Sequence, residues 1–149
     1  MPEKGSSKNT IQKELRTTID KRARHGVSAQ GLGADMINGL TSTLAGFKNR
    51  LVLEVSVGSG RSALPLLANI VPQLVGLDLS QEMLQQAKLK AKSFKKNLVF
   101  IQADAEQLPF IRDIFDWTVF MSMMHYFSST EKILRTFAMS KTAYSCIEI

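Results

Sequence analysis

A three-layer α/β fold around a mostly parallel sheet is predicted by three features of this sequence. Short apolar segments rich in β-formers alternate with amphipathic segments of helical period. Two of the apolar segments, residues 51–57 and 117–124, run nearly unbroken, as strands covered on both faces do. The chemically distinctive residues fall just after the apolar segments, where open α/β sheets hold their ligands.

The elements follow in chain order. Residues 1–10 are polar and read as a frayed end. Residues 11–25 have helical composition with a thin apolar face (Ile11, Leu15, Ile19). Residues 26–33 carry Gly26, Gly31 and Gly33 and read as a loop, and 34–46 reads as a helix through Met36, Ile37, Leu40 and Leu44. This divides the chain into an N-terminal helical segment, 1–46, and a ligand-binding domain, 47–149. Within the latter, Leu51–Val57 and Gln73–Leu79 read as strands, with a helix over Ser62–Ile70 between them. Pro65 fits that helix because the N–H groups of a first turn have no intrahelical partner. Ser80 is placed to cap the next helix, with Glu82 in its first turn and Met83, Leu84, Ala87, Ala91 and Phe94 along one face. Leu98–Gln102 and Trp117–Met123 read as further strands, Ser129 or Thr130 as the cap of a last helix, and Thr142–Ile149 as a last strand.

Composition narrows the function classes. With 149 residues, 44% hydrophobic and 21% charged, the chain has the make-up of one globular domain. Cys146 is the single cysteine, so the chain holds no internal disulfide and no zinc cluster built on cysteine pairs. No apolar run approaches the ~20 residues of a membrane span, and the N-terminus lacks the apolar core of a secretory signal. The expected compartment is the cytoplasm and the expected metal content is none. The net charge of +6 is uneven, with a block of lysines at 88, 90, 92, 95 and 96. These suit the negative end of the helix they close, and read as a solvated face before they read as a nucleic-acid surface.

The chemistry starts at Leu53-Glu54-Val55-Ser56-Val57-Gly58-Ser59-Gly60. Gly58 and Gly60 let the backbone turn sharply and let a ligand approach without a Cβ in its way. The free N–H groups of the helix that follows then face the ligand's polar end. Asp78 ends the second strand twenty residues after Gly58, where a carboxylate accepts from both hydroxyls of an adenosine ribose. Proteins that bind NAD and proteins that bind adenosylmethionine both use this arrangement. Glu54 separates them. It is an acid inside an apolar strand, and burying it unpaired is costly. A pyrophosphate would repel it, whereas the ammonium of adenosylmethionine would attract it. A structural ion pair for Glu54 is the competing account.

At this point the sequence resembles the class I S-adenosylmethionine-dependent methyltransferases, over about Leu51–Phe127. Val-Leu-Glu-Val-Ser-Val-Gly-Ser-Gly resembles the family's first motif, and Gly-Leu-Asp-Leu-Ser-Gln-Glu-Met-Leu its second. Phe-Ile-Gln-Ala-Asp-Ala-Glu-Gln-Leu-Pro-Phe resembles the adenine-binding segment, in the wording common in the small-molecule branch that acts on quinones and sterols. Phe-Asp-Trp-Thr-Val-Phe-Met-Ser-Met-Met-His resembles the fourth-strand motif. The resemblance implies a Rossmann-like methyltransferase fold with S-adenosyl-L-methionine as cofactor. It implies that Glu54 faces the methionine amino group, that Ser56, Gly58, Ser59 and Gly60 line the methionine and ribose, and that Asp78 holds the ribose hydroxyls. Leu79 and Met83 would pack on the adenine, Asp104 and the Ala105 amide would read its edge, and Met121 with Ser122 would border the methyl donor. His125 is the candidate base, with Tyr126 beside it to position an acceptor.

Three departures stand out. Ser56 occupies a position where the family has glycine. The N-terminal segment lacks a clear substrate lid, with only a faint likeness at Ile19–Arg22. Past the last predicted helix there is no Pro-Gly-Gly-type turn. The implied strand order is therefore 3-2-1-4-5, with strands 6 and 7 of the family absent. This leaves an open apolar edge, and the expectation is a truncated chain or a homodimer that covers the edge. The reading is a methyltransferase acting on a small organic acceptor. A non-catalytic adenosylmethionine-binding module is the first alternative and an NAD-binding protein the second. A nucleic-acid partner ranks low, because the fourth strand is not followed by the family's base-holding Asn/Asp-Pro-Pro-Tyr/Phe motif.

Overall fold

β1 (Leu51–Val55) is the middle strand of a five-stranded sheet in the order β3-β2-β1-β4-β5. Its partners are β2 (Gln73–Asp78) and β4 (Phe115–Met121), and β3 (Asn97–Gln102) and β5 (Ser140–Cys146) lie outside them. All four pairings are parallel. The structure, a computed structural model, describes residues 42, 51–61, 64, 67–68, 71–121 and 126–146, with 121 and 141–146 as backbone only. The helices expected over 11–25 and 34–46, the loop between them, Ser122 and His125 lie outside the described residues. Of the expected helix 62–70, Leu64, Leu67 and Ala68 are described and are helical.

The sequence places each element for a local reason. α1 (Gln81–Ala91) starts where predicted: the Ser80 hydroxyl accepts the Met83 amide at 3.2 Å, satisfying one of the orphan donors of the first turn. α2 (Thr130–Phe137) is capped by Ser129 rather than Thr130, through the Lys132 amide at 3.4 Å. On α1 only Leu84 and Ala87 are fully buried, while Met83 and Ala91 are half-buried; Phe94, expected on the same face, is half-buried past the end of the helix. The lysines expected to be a solvated face divide: Lys88, Lys92, Lys95 and Lys96 are exposed, whereas Lys90 is half-buried.

Alternation along β1 feeds two cores. Val52 joins Leu74, Leu84, Trp117 and Val119 on one face, and Leu53 and Val55 join Leu77, Phe115 and Phe120 on the other. A sheet covered on both faces explains the near-continuous apolar strands. The observed bounds correct the expected ones. β1 stops at Val55 instead of Val57 because Ser56 takes a left-handed conformation, φ +62°, which no strand continues through. β2 ends at Asp78, one residue early, and β3 begins one residue early at Asn97. β4 begins two residues early at Phe115, and β5 begins at Ser140 instead of Thr142. Among the described residues no helix is long and apolar enough to cross a membrane.

Candidate functional site

Strand order reverses beside β1, so the crevice of this sheet opens at the carboxyl ends of β1 and β4. The turn leaving β1 is built from alternate left-handed residues: Ser56 at φ +62°, Gly58 at +57° and Gly60 at +69°. The two glycines differ in purpose. A Cβ on Gly60 would lie 2.5 Å from Leu64 Cδ2 and 3.3 Å from the Ala87 backbone, so glycine here lets the turn press onto α1. A Cβ on Gly58 would meet nothing among the described residues within 4 Å. Gly58 borders open space, the kind of cradle in which a ligand lies against bare backbone.

Asp78 locks this turn to β2. Its Oδ2 accepts the Gly58 amide at 2.8 Å and its Oδ1 accepts the Ser80 amide at 2.9 Å. The side chain is 5% exposed, at the lip of the crevice. The turn is held from below as well: Lys90 Nζ donates to the Ser59 carbonyl at 2.7 Å. Burial first, and the Arg61 charge second, lower the Lys90 pKa from its ordinary value. Sequence reasoning did not find this contact, because nothing in a lysine-rich helix end marks which lysine turns inward.

Glu54 lies one strand residue inside the turn, 2% exposed, in register with Gly76 of β2 and Val119 of β4. Its Oε2 has no hydrogen-bond partner among the described residues. The structural ion pair weighed as a competing account is therefore not made by that oxygen. Burial, and after it the charge of Asp78, push the Glu54 carboxyl up to about 8. An aliphatic residue at this position would gain roughly 1.5–3 kcal/mol from burial. A carboxylate instead carries a desolvation penalty. Glu54 works against stability where it stands, and its orphaned oxygen calls for a cationic or donor group that the described residues do not supply.

The third wall comes from the segment after β3. The Ala103 amide donates to the Asp78 carbonyl at 3.1 Å, and Gln102 Nε2 donates to the Leu79 carbonyl at 2.9 Å, so this segment is bound to the end of β2. Asp104 folds a turn on itself: its Oδ1 accepts the Glu106 amide at 2.8 Å and its carbonyl accepts the Gln107 amide at 2.9 Å. Leu79, Met83 and Ala105 are half-buried, and Ala105 packs against the second core. The structure thus brings together Glu54, Ser56, Gly58, Ser59, Gly60, Asp78, Leu79, Asp104 and Ala105 at one end of the sheet, with the backbone of Met121 closing β4 beside them. Tyr126 is 41% exposed.

A further set of contacts had no sequence signal. Glu106 forms an ion pair with Lys132 of α2, and its Oε1 accepts the Ser128 amide at 2.5 Å. Lys132 Nζ also donates to Ser128 Oγ at 2.7 Å, and Thr136 Oγ1 donates to the Ala105 carbonyl at 2.8 Å. Burial acts to raise the Glu106 pKa, but the hydrogen bonds from Lys132 and Ser128 and the Lys132 charge prevail and hold it below the ordinary carboxylate value.

The fold has counterparts among known proteins. The family profile described as a methyltransferase domain matches residues 52–140, more than half of the chain, and the chain belongs to that family. Among curated relatives, it is 40% identical over 76 residues to a Rickettsia peacockii ubiquinone/menaquinone biosynthesis C-methyltransferase, covering 46% of this chain and 31% of that protein. It is 34% identical over 88 residues to the chloroplastic 2-methyl-6-phytyl-1,4-hydroquinone methyltransferase of Spinacia oleracea, covering 59% of this chain and 25% of that one. Among solved structures, the YcgJ protein of Bacillus subtilis superposes with a TM-score of 0.61 at 29% identity, over 70% of this chain and 46% of that one. The chain spans between a quarter and a third of the length of the curated relatives named here and just under half of that solved structure.

Proposed function

We propose that this chain binds S-adenosyl-L-methionine at the carboxyl end of β1 and serves methyl transfer to a small organic acceptor. The observation that carries the reading is Glu54, whose buried Oε2 lacks a partner among the described residues, in the strand that leads into the Gly58 turn. A cofactor with an ammonium group and no phosphate fits that pair. A phosphate there would disfavour the ionised form of Glu54 that an ammonium favours.

Each residue has a task on this reading. Glu54 accepts from the ammonium. Gly58 and Ser59 offer bare backbone, with Ser56 and Gly60 shaping the turn. Asp78 keeps its two amide partners and uses its remaining lone pairs on the ribose hydroxyls, since a carboxylate has about four acceptor sites. Leu79 and Met83 supply apolar surface for the adenine, and Asp104 and the Ala105 amide read its edge. Met121 borders the methyl group. When bound, the cofactor supplies a methyl carbon already activated by a sulfonium. The chain then has to hold an acceptor in line at ~3–3.5 Å and keep water out. His125, which follows β4 in sequence, takes the acceptor's proton where it has one to lose. The names of the relatives put hydroquinones first among acceptors to assay. The reading places residues 47–149 in the cofactor domain and a second copy of the chain against the outer edge of β5, which light scattering tests.

The deciding experiment is calorimetry with S-adenosylmethionine, S-adenosylhomocysteine and NADH. Binding of the first two with none of the third supports the reading. Binding of NADH alone, or of nothing, ends it.

A further inference from the structure

The ion pair between Glu106 and Lys132 lies one residue from the Ala105 amide, just past the point where the segment leaves the end of β2. Three of its neighbours point the same way. Asp104 Oδ1 is committed to the Glu106 amide, so the shape of the Asp104 turn depends on where Glu106 sits. The Glu106 side chain does not face solvent but reaches α2, where it takes Lys132 and the Ser128 amide together. One turn further along α2, Thr136 takes the Ala105 carbonyl at 2.8 Å and shares its hydroxyl with the Lys132 carbonyl at 3.1 Å. A buried Thr136 and a half-buried pair thus fasten residues 104–106 to one helix at two points.

The fastening is more than surface charge decoration. On the same helix Glu131 and Arg135 form an ion pair at 2.6 Å with both side chains over 70% exposed, the kind of pair that contributes little. The side chains of Lys132 and Glu106 are 24% and 15% exposed, and each makes a second hydrogen bond. Charge-assisted bonds of that kind hold geometry as well as energy.

We propose that Glu106 is a positioning residue: paired with Lys132, it holds the Asp104–Ala105 turn in the shape that receives the adenine of the cofactor. The inference rests on the site reading given above. Glu106 touches no ligand; it acts through the Asp104 turn. Its removal should therefore weaken every ligand that carries adenine, by the same factor, whether or not an amino acid is attached.

The test measures dissociation constants for adenosine and for S-adenosylhomocysteine by calorimetry, well below the melting temperature, on the full chain. Wild type is compared with Glu106→Gln, Lys132→Met, Glu54→Gln and Glu131→Gln. Glu106→Gln and Lys132→Met should each weaken both ligands about tenfold, the loss expected of one charge-assisted bond. Glu54→Gln should weaken S-adenosylhomocysteine alone, and Glu131→Gln neither. A purely structural brace would lower the melting temperature of the Glu106 and Lys132 variants and leave both constants unchanged, which overturns the proposal. An equal loss in Glu131→Gln overturns it too. If Glu106→Gln does not fold, Lys132→Met carries the same expectation and the same refutation. Wild type that binds neither ligand refutes the site reading and this inference with it. Wild type that binds both, beside an unaffected Glu106→Gln, refutes the inference alone.

Discussion

Asp78 Oδ2 accepts the backbone amide of Gly58 at 2.8 Å, joining the end of one strand to the turn that leaves its neighbour. The bond makes Asp78 a structural residue before it is a ligand-binding one. Both of its oxygens face amide donors, Gly58 and Ser80. Asp78→Asn should therefore be costly, because its NH2 group must face one of those donors. A loss of about 1–3 kcal/mol in chemical denaturation is expected. Affinity for S-adenosylhomocysteine should fall further in Asp78→Ala, which removes both oxygens and leaves the Gly58 amide without its carboxylate partner. A stable Asp78→Ala with unchanged affinity would contradict both roles.

Ser56→Gly should stabilise the protein. Serine at φ +62° carries a strain of roughly 1–2 kcal/mol that glycine lacks. Glycine adds unfolded-state entropy of about 0.4–1 kcal/mol in the opposite direction. The difference predicts a net gain of about 0.5–1 kcal/mol by denaturant titration. Ser56→Val, β-branched at the same φ, should lose stability.

Gly58 and Gly60 should respond differently to alanine. Gly60→Ala adds a Cβ against Leu64 and Ala87 as well as left-handed strain, and should cost about 2–4 kcal/mol. Gly58→Ala places its Cβ in open space and should cost only the strain, ~1–2 kcal/mol. Its larger effect should be on affinity, because the methyl occupies the space assigned to the ligand. Denaturation and calorimetry on the two variants separate a packing glycine from a site glycine.

Glu54 makes stability depend on pH in an unusual sense. Its pKa is raised from 4.5 to about 8, so the folded protein holds a proton there that the unfolded chain releases. The favourable contribution is complete below pH 4.5 and is lost as pH rises toward 8. Glu54→Gln removes this dependence. The variant should gain on wild type across that window, by an amount on the order of 2–5 kcal/mol at its upper end. Ligand binding reverses the proton's preference, since an ammonium favours the ionised carboxylate. At pH 7 binding of S-adenosylhomocysteine should release close to one proton. Calorimetry in buffers of differing ionisation enthalpy measures it, and no release would remove Glu54 from contact with the ligand.

The sheet was legible because its signals are local. Unbroken apolar runs, a serine before Gln81 and the glycine turn each speak within a few residues, and the strand order followed from the family resemblance. Asp78 and Glu54 were legible because acids at the end of, or inside, an apolar strand are conspicuous. What stayed hidden joins distant positions. Lys90 and Ser59 are 31 residues apart, and Lys132 and Glu106 are 26 apart, with no periodicity to link them. The left-handed backbone at Ser56 was hidden for a different reason: the valines on either side of it read as strand, and only the family's glycine at that place hinted otherwise.

Gly76 carries a last implication. It sits in the same row as Glu54, and a Cβ there would come within 2.9 Å of the Phe100 ring. The ring that fills the gap belongs to β3, the outermost strand on that side. A methyl at Gly76 would drive that ring outward, so the fit between an inner strand and the sheet's margin hangs on one side chain that is not there.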